Sequence, residues 1–330
     1  MRRPVFQKDE KIFETTEAPF FRAPDRYYAS VSVLAVILLG LYIPIAGRLG
    51  FKVLLLPLLT CIVGAITEIA GSLITKKAIN YFGIASWLIF PFLIPPGLPI
   101  WMSLTAFVLS LIICQILFGG FGKHIFHPAV FGQIFLLMNF TKQYNFSFLK
   151  PFDDAGFGFS AFTSMSFTDK SVFKQLAMGM DLPLDSILLG PNIGLGSEIF
   201  PFLIVIAGLL YLLFGNVNYR TPFAFIIVFV ASTIIGRLIF PDKIMPVLPA
   251  LLGGGTLFYA FFIFSDTWTG SKTGIGRLLA GAVAAVLVIV IRSFSSNVEG
   301  VMFAAAFTYS FSPLYDQFAL SIDRRAKRKS

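Results

Sequence analysis

Charge is scarce in this 330-residue chain: 13% of residues are Asp, Glu, Lys or Arg, against 56% hydrophobic. A soluble domain carries about a quarter charged residues, so a water-soluble globule of this composition has too few polar groups to cover its surface. Cysteine is equally sparse. Cys61 and Cys114 both sit in apolar runs with no partner at metal-ligand spacing, which excludes an iron–sulfur centre and leaves two small buried hydrophobes. Histidine is limited to His124 and His127, spaced i, i+3, with no third ligand nearby. That pair alone is a weak indication of a metal or a proton relay, set against a plain role in capping a turn. A glycine-rich strand-to-helix fingerprint, a phosphate-cradling loop and a Ser/His/Asp set are all missing. The chain is therefore expected to hold no dinucleotide, no metal and no catalytic residues of its own.

What the chain has is apolar length, with a mean hydropathy of +0.82. A membrane-crossing helix needs about 20 mostly apolar residues. Segments 28–46, 52–74, 81–96, 98–118, 126–141, 198–215, 221–240, 245–265, 276–292 and 298–316 meet this. The third is short and ends in Pro95-Pro96, so a tilted or re-entrant path suits it. The expected fold is an all-α polytopic membrane protein of about ten transmembrane helices. Its parts are an N-terminal tail 1–27, a five-helix half 28–141, a long loop 142–197, a second five-helix half 198–316 and a basic tail 317–330. Both halves have Pro- and Gly-rich breaks, a weak symmetry compatible with inverted repeats.

The net charge of +9 does not point to nucleic acid, because eleven of the 26 Lys and Arg residues lie in the two terminal tails. Basic tails beside membrane spans set orientation and face anionic lipid. With both tails cytoplasmic, 17 of the 26 basic residues fall inside and 9 outside. The loop 142–197 is then extracytoplasmic.

Acids at membrane depth are costly and mark interior or water-filled paths. Glu68, within CIVGAITEIAGSLI, lies deepest; Asp266 and Asp316 close the eighth and tenth spans. An ion pathway is one reading of the three, and helix-end capping is the other for Asp266 and Asp316. The loop holds DDAGFGFSAFTSMSFTDK at 153–170, too polar to cross a bilayer and unusually rich in Phe for a hydrated linker.

Five stretches resemble a known family: IPPGLPIW (94–101), FGGFGKHIFHPA (118–129), GFSAFT (158–163), FFIFSDTWTGSKTGIGR (261–277) and VEGVMFAAAFTYSFSPLYD (298–316). They are similar to the RnfD/NqrB family, which comprises the RnfD membrane protein of the Rnf ion-translocating electron-transport complex and its relative NqrB of the sodium-translocating NADH:quinone reductase. The resemblance implies a flavoprotein of the bacterial inner membrane, with FMN held covalently through a phosphoester to the Thr163 hydroxyl. A separate flavin transferase would make that bond, and Gly158, Ser160 and Phe162 would surround it. Riboflavin is a further cofactor the resemblance leaves open. It also implies partner subunits, electron relay between ferredoxin and NAD⁺ chemistry, and coupling to Na⁺ or H⁺ past Glu68, Asp266 and Asp316. The chain departs from the family in three places: Phe162 stands where Ala is usual, His124 and His127 replace two Asn, and Thr-Asp-Pro appears as Ser265-Asp266-Thr267. From the residues alone, a secondary ion or solute transporter centred on Glu68 is the rival reading.

Overall fold

The structure, a computed structural model, describes residues 24–76, 83–118, 125–151, 167–168, 171–178, 183–241, 243–266, 269–294 and 299–329. It is built almost wholly of helices, and four of them are long and apolar enough to cross a bilayer. These are α1 (Pro24–Leu49), α2 (Leu55–Thr75, extended by a 3₁₀ turn from Phe51), and, in the second half, the helices Arg220–Ile239 and Gly274–Phe294. At 1.5 Å per residue each spans about 30 Å or more, the thickness of a bilayer's hydrocarbon core.

The third expected span is not one continuous helix. It is α3 (Ile84–Ile89) followed by a 3₁₀ turn, Phe90–Phe92, together about 14 Å long at helical rise. Pro91, Pro95 and Pro96 explain the stop, since each lacks the backbone N–H that a continuing helix needs. Then come α4 (Ile100–Leu111), α5 (Pro128–Asn139, opened by a proline at its first position) and the short α6 (Thr141–Phe146). In the long connection, β1 (Phe148–Leu149) pairs antiparallel with β2 (Phe167–Thr168), a small departure from the all-helical expectation. Short helices α7 (Val172–Ala177) and α8 (Leu184–Leu189) follow.

The second half repeats the order: α9 (Pro201–Phe214), α10 (Arg220–Ile239), a broken element, α13 (Gly274–Phe294) and α14 (Val301–Ser310). The broken element is α11 (Val247–Leu252), an interruption at Gly253–Gly255, and α12 (Thr256–Phe258). Gly254 and Gly255 have φ of 64° and 66°, a left-handed conformation that glycine adopts without the Cβ penalty of other residues. The last helix, α15 (Ser312–Lys329), runs across the sequence boundary drawn at 316/317.

Packing follows the same order in both halves. In the first, α2 packs on α4, α4 on α5 and α1 on α3; in the second, α10 packs on α13, α13 on α14 and α9 on α12. The halves meet where α1 touches α9 and α5 touches α14. At the centre the two interrupted elements abut through rings: Phe92 stacks on Phe258 at 5.2 Å, and Phe258 lies 4.7 Å from Phe262. Outward-facing side chains such as Leu73 and Leu238 are exposed at 75% and 82%, the expected dress of a surface that meets lipid.

Candidate functional site

Glu68 lies on the stripe of α2 that faces protein. A Cβ on Gly64 would lie 2.6 Å from the Trp87 ring, and one on Gly71 2.8 Å from Ile116. Glu68 falls between these two glycines at helical spacing, whereas Ile62, Ile66 and Leu73 are exposed on the opposite stripe. Its partner is Gln115, whose amide donates to the carboxylate at 2.6 Å. Gln115 is 2% exposed and belongs to a π turn, Ile112–Ile116, that continues α4. A π turn inserts one residue and so re-aims the side chains around it, which is why such turns cluster at functional positions.

Asp266 and Asp316 come together at one end of the second half, apart from Glu68. Asp266 accepts from the backbone N–H and hydroxyl of Thr269 at 3.2 and 2.7 Å. Asp316 accepts from the backbone N–H groups of Lys272 and Thr273 and from the hydroxyls of Ser271 and Thr273. A Cβ on Gly276 would sit 2.6 Å from an Asp316 oxygen, so glycine there makes room for the carboxylate. Asp316 lies beyond the apolar helix α14. Partial burial alone would raise its pKa, but the four donors outweigh that and hold the carboxyl below the usual range. Burial lowers the Lys272 pKa, against the pull of Asp266 and Asp316. Both acids thus clamp the loop that leads into α13, the capping role weighed from sequence.

The opposite end carries a polar network that the sequence reading missed. The Tyr259 hydroxyl donates to the Gln133 carbonyl oxygen, and the Gln133 amide to the Tyr144 hydroxyl at 3.1 Å. Tyr144 in turn donates to Glu299 at 3.1 Å. All four side chains are buried, and they come from α5, α6, a second π turn at Tyr259–Ile263 and the entrance to α14. The thread therefore stitches the two halves together. Glu198 is also buried at 4% exposure; one oxygen accepts from the Leu195 N–H at 3.2 Å, and the other has no partner among the described residues.

Arg292 lies within electrostatic reach of both Glu198 and Glu299. Its guanidinium holds the break in the second half, donating to the carbonyls of Ala250, Gly253 and Gly254 and to the Thr256 hydroxyl at 2.8 to 3.3 Å. These are the carbonyls that an interrupted helix leaves without partners. Signs of this cluster in the sequence were the Gly253–Gly255 run and the three charges Glu198, Arg292 and Glu299 at span edges.

Among the described residues, no three His, Cys, Asp or Glu side chains converge as a metal site would require. His127 occupies the N-cap position of α5 and is buried, but its side chain makes no capping hydrogen bond, while His124 lies outside the described residues. So do Gly158, Ser160, Phe162 and Thr163, the expected flavin-bearing residues. What the structure does give is the base of that loop. The β1–β2 pair brings Leu149 opposite Phe167, so the two described ends of that segment meet side by side.

Two membrane-embedded halves, each with an interrupted helix, with Glu68 half-buried in the first and Glu198 and Glu299 buried at the edges of the second, define a multi-pass membrane protein. The chain belongs to the NQR2, RnfD, RnfE family, whose model matches residues 14–322. It is 31% identical over 254 residues to the D subunit of the ion-translocating oxidoreductase complex of Cronobacter sakazakii, covering 68% of this chain and 72% of that one. The proteins of the same name from Pectobacterium carotovorum and Escherichia coli O1:K1 are each 32% identical over the same shares.

Proposed function

We propose that this chain is the membrane-embedded D subunit of an Rnf-type ion-translocating oxidoreductase complex, carrying FMN on Thr163 and passing Na⁺ or H⁺ along Glu68, Asp266 and Asp316. The observation that carries the reading is the family match over 14–322, joined to relatives whose names specify the D subunit of such a complex. The same family includes the quinone-reductase protein, and those names favour the Rnf type. The chain works with partner subunits and a flavin transferase, and it is not an enzyme alone. Its basic tails support an inner-membrane placement with both termini cytoplasmic.

When bound, the flavin supplies one-electron chemistry. The chain's own residues do the rest. Thr163 would offer the hydroxyl for attachment, with the small residues Gly158 and Ser160 and the larger Phe162 as its sequence neighbours. In the ion path, Glu68 with Gln115 offers a carboxylate and an amide within the protein-facing stripe of α2. Asp266 and Asp316 offer acids at one end of the second half. A negative charge arriving in a low-dielectric interior favours uptake of a cation nearby, which is the physical basis of coupling.

The test is in-gel flavin fluorescence of the chain co-expressed with its flavin transferase. Wild type should fluoresce, Thr163→Ser should retain the signal and Thr163→Ala should be dark. Equal fluorescence of Thr163→Ala and wild type would remove the tether from this residue.

A further inference from the structure

A pocket of about 100 Å³ lies between α10, α13, the approach to α11 and the long loop. Its walls include Phe173, Phe229, Thr233, Lys243, Ile289 and Arg292. Two cations thus share a chamber that is otherwise mainly apolar, and no carboxylate lines it among the described residues. Asp242, beside Lys243 in sequence, lies outside those residues.

The two cations play different parts. Arg292 has its terminal nitrogens committed to the carbonyls of the helix break, with its guanidinium 4.5 Å from the Phe173 ring centre. It is a fixed positive charge in the wall. Lys243 is exposed, and its ammonium rests 5.3 Å over the Phe294 ring, leaving three N–H donors for an anion at the mouth. Phe240 and Phe294 meet edge to face at 6.1 Å beside it, both exposed. Just before Phe240, at the end of α10, Leu238 and Ile239 are exposed at 82% and 63%, so this rim borders the lipid-facing surface. A lysine next to exposed rings at the edge of an apolar belt is the arrangement that meets lipid headgroups.

The interior narrows the ligand class. The Thr233 hydroxyl is already spent on the Phe229 carbonyl at 2.6 Å, so few groups remain to read the polar edge of a flavin or nucleobase. Phe229 and Ile289 suit a hydrocarbon chain. We propose that this pocket binds one anionic phospholipid, with its phosphate at Lys243 and an acyl chain between Phe229 and Ile289. Bound there, the lipid sits against Arg292 and Phe173, and so props the interrupted helix and the long loop from the membrane side.

The test is native mass spectrometry of the full complex, extracted in mild detergent, washed free of loose lipid and re-exposed to phosphatidylglycerol or phosphatidylcholine. Wild type should retain one phosphatidylglycerol more than Lys243→Glu, with occupancy falling about tenfold on charge reversal. Lys243→Arg should keep it, and phosphatidylcholine should bind more weakly in wild type. Ile289→Trp, which fills the chamber without changing charge, should also lose it. Lys243 is exposed, so equal melting of wild type and Lys243→Glu in lipid-free detergent is expected, and the lysine variants decide the matter should Ile289→Trp not fold. Equal lipid retention by wild type and Lys243→Glu overturns the site. So does equal retention of the two lipids, or a wild-type adduct with the mass of a flavin that Lys243→Glu lacks.

Discussion

Asp316 and Glu68 are both acids of a membrane protein, and their surroundings give them different work. Asp316 is held ionised by donors from Ser271, Lys272 and Thr273. A carboxyl whose folded pKa is depressed adds stability above its unfolded value, and that stability is lost as pH falls through the folded one. Thermal melting in detergent should therefore weaken below about pH 4. Asp316→Asn should flatten that dependence and cost about 1–2 kcal/mol at neutral pH. Glu68, in contrast, accepts from the Gln115 amide. Glu68→Gln keeps a hydrogen-bonding partner for Gln115, so melting should change little while cation uptake by vesicles containing the complex falls. Glu68→Leu leaves the buried Gln115 amide without this acceptor and should cost about 1–3 kcal/mol as well. Loss of stability without loss of transport in the Gln variant would place Glu68 among structural residues.

At the scale of elements, the second half's interruption is the most constrained feature. Gly254 has φ of 64°, and a Cβ there would lie 2.1 Å from an Arg292 nitrogen. Gly254→Ala combines backbone strain with displacement of the arginine, so a loss of about 1–3 kcal/mol is expected, read as a lower melting temperature in detergent. Arg292→Lys should fall in the same direction, because one ammonium cannot match the planar fork that serves Ala250, Gly253 and Gly254 together. This element also marks a limit of sequence reading. Segment 245–265 reads as one apolar span, and only the run Gly253–Gly255 hints at the break. The π turns at 112–116 and 259–263 leave no trace in composition. They insert a residue without altering the apolar content, so the placing of Gln115 against Glu68 was not legible.

At the scale of the molecule, the thread Tyr259–Gln133–Tyr144–Glu299 joins the halves through the core. Tyr144→Phe and Tyr259→Phe should each cost about 1 kcal/mol. As members of one network they should be non-additive, the double variant costing measurably less than the two singles summed. Additive losses would mean that the halves are joined by ring packing alone. The membrane class and the helical fold were legible, because apolar length and proline placement dictate them locally, whereas the repeated order of elements showed only as a weak symmetry of spans and Pro/Gly breaks. Glu198 and Glu299 were not singled out, since each lies at a span edge where an acid is unremarked; only the tertiary fold brings both within reach of Arg292.

The small β1–β2 pair sets a leash. Thr163 is four residues from Phe167, and an extended chain reaches at most about 3.6 Å per residue. A group attached at Thr163 is therefore confined to within about 14 Å of the strand pair, plus its own length. Chain length alone keeps it near the face of the protein where the strand pair lies. A redox centre carried there would have its choice of electron partners set by geometry before any affinity is considered.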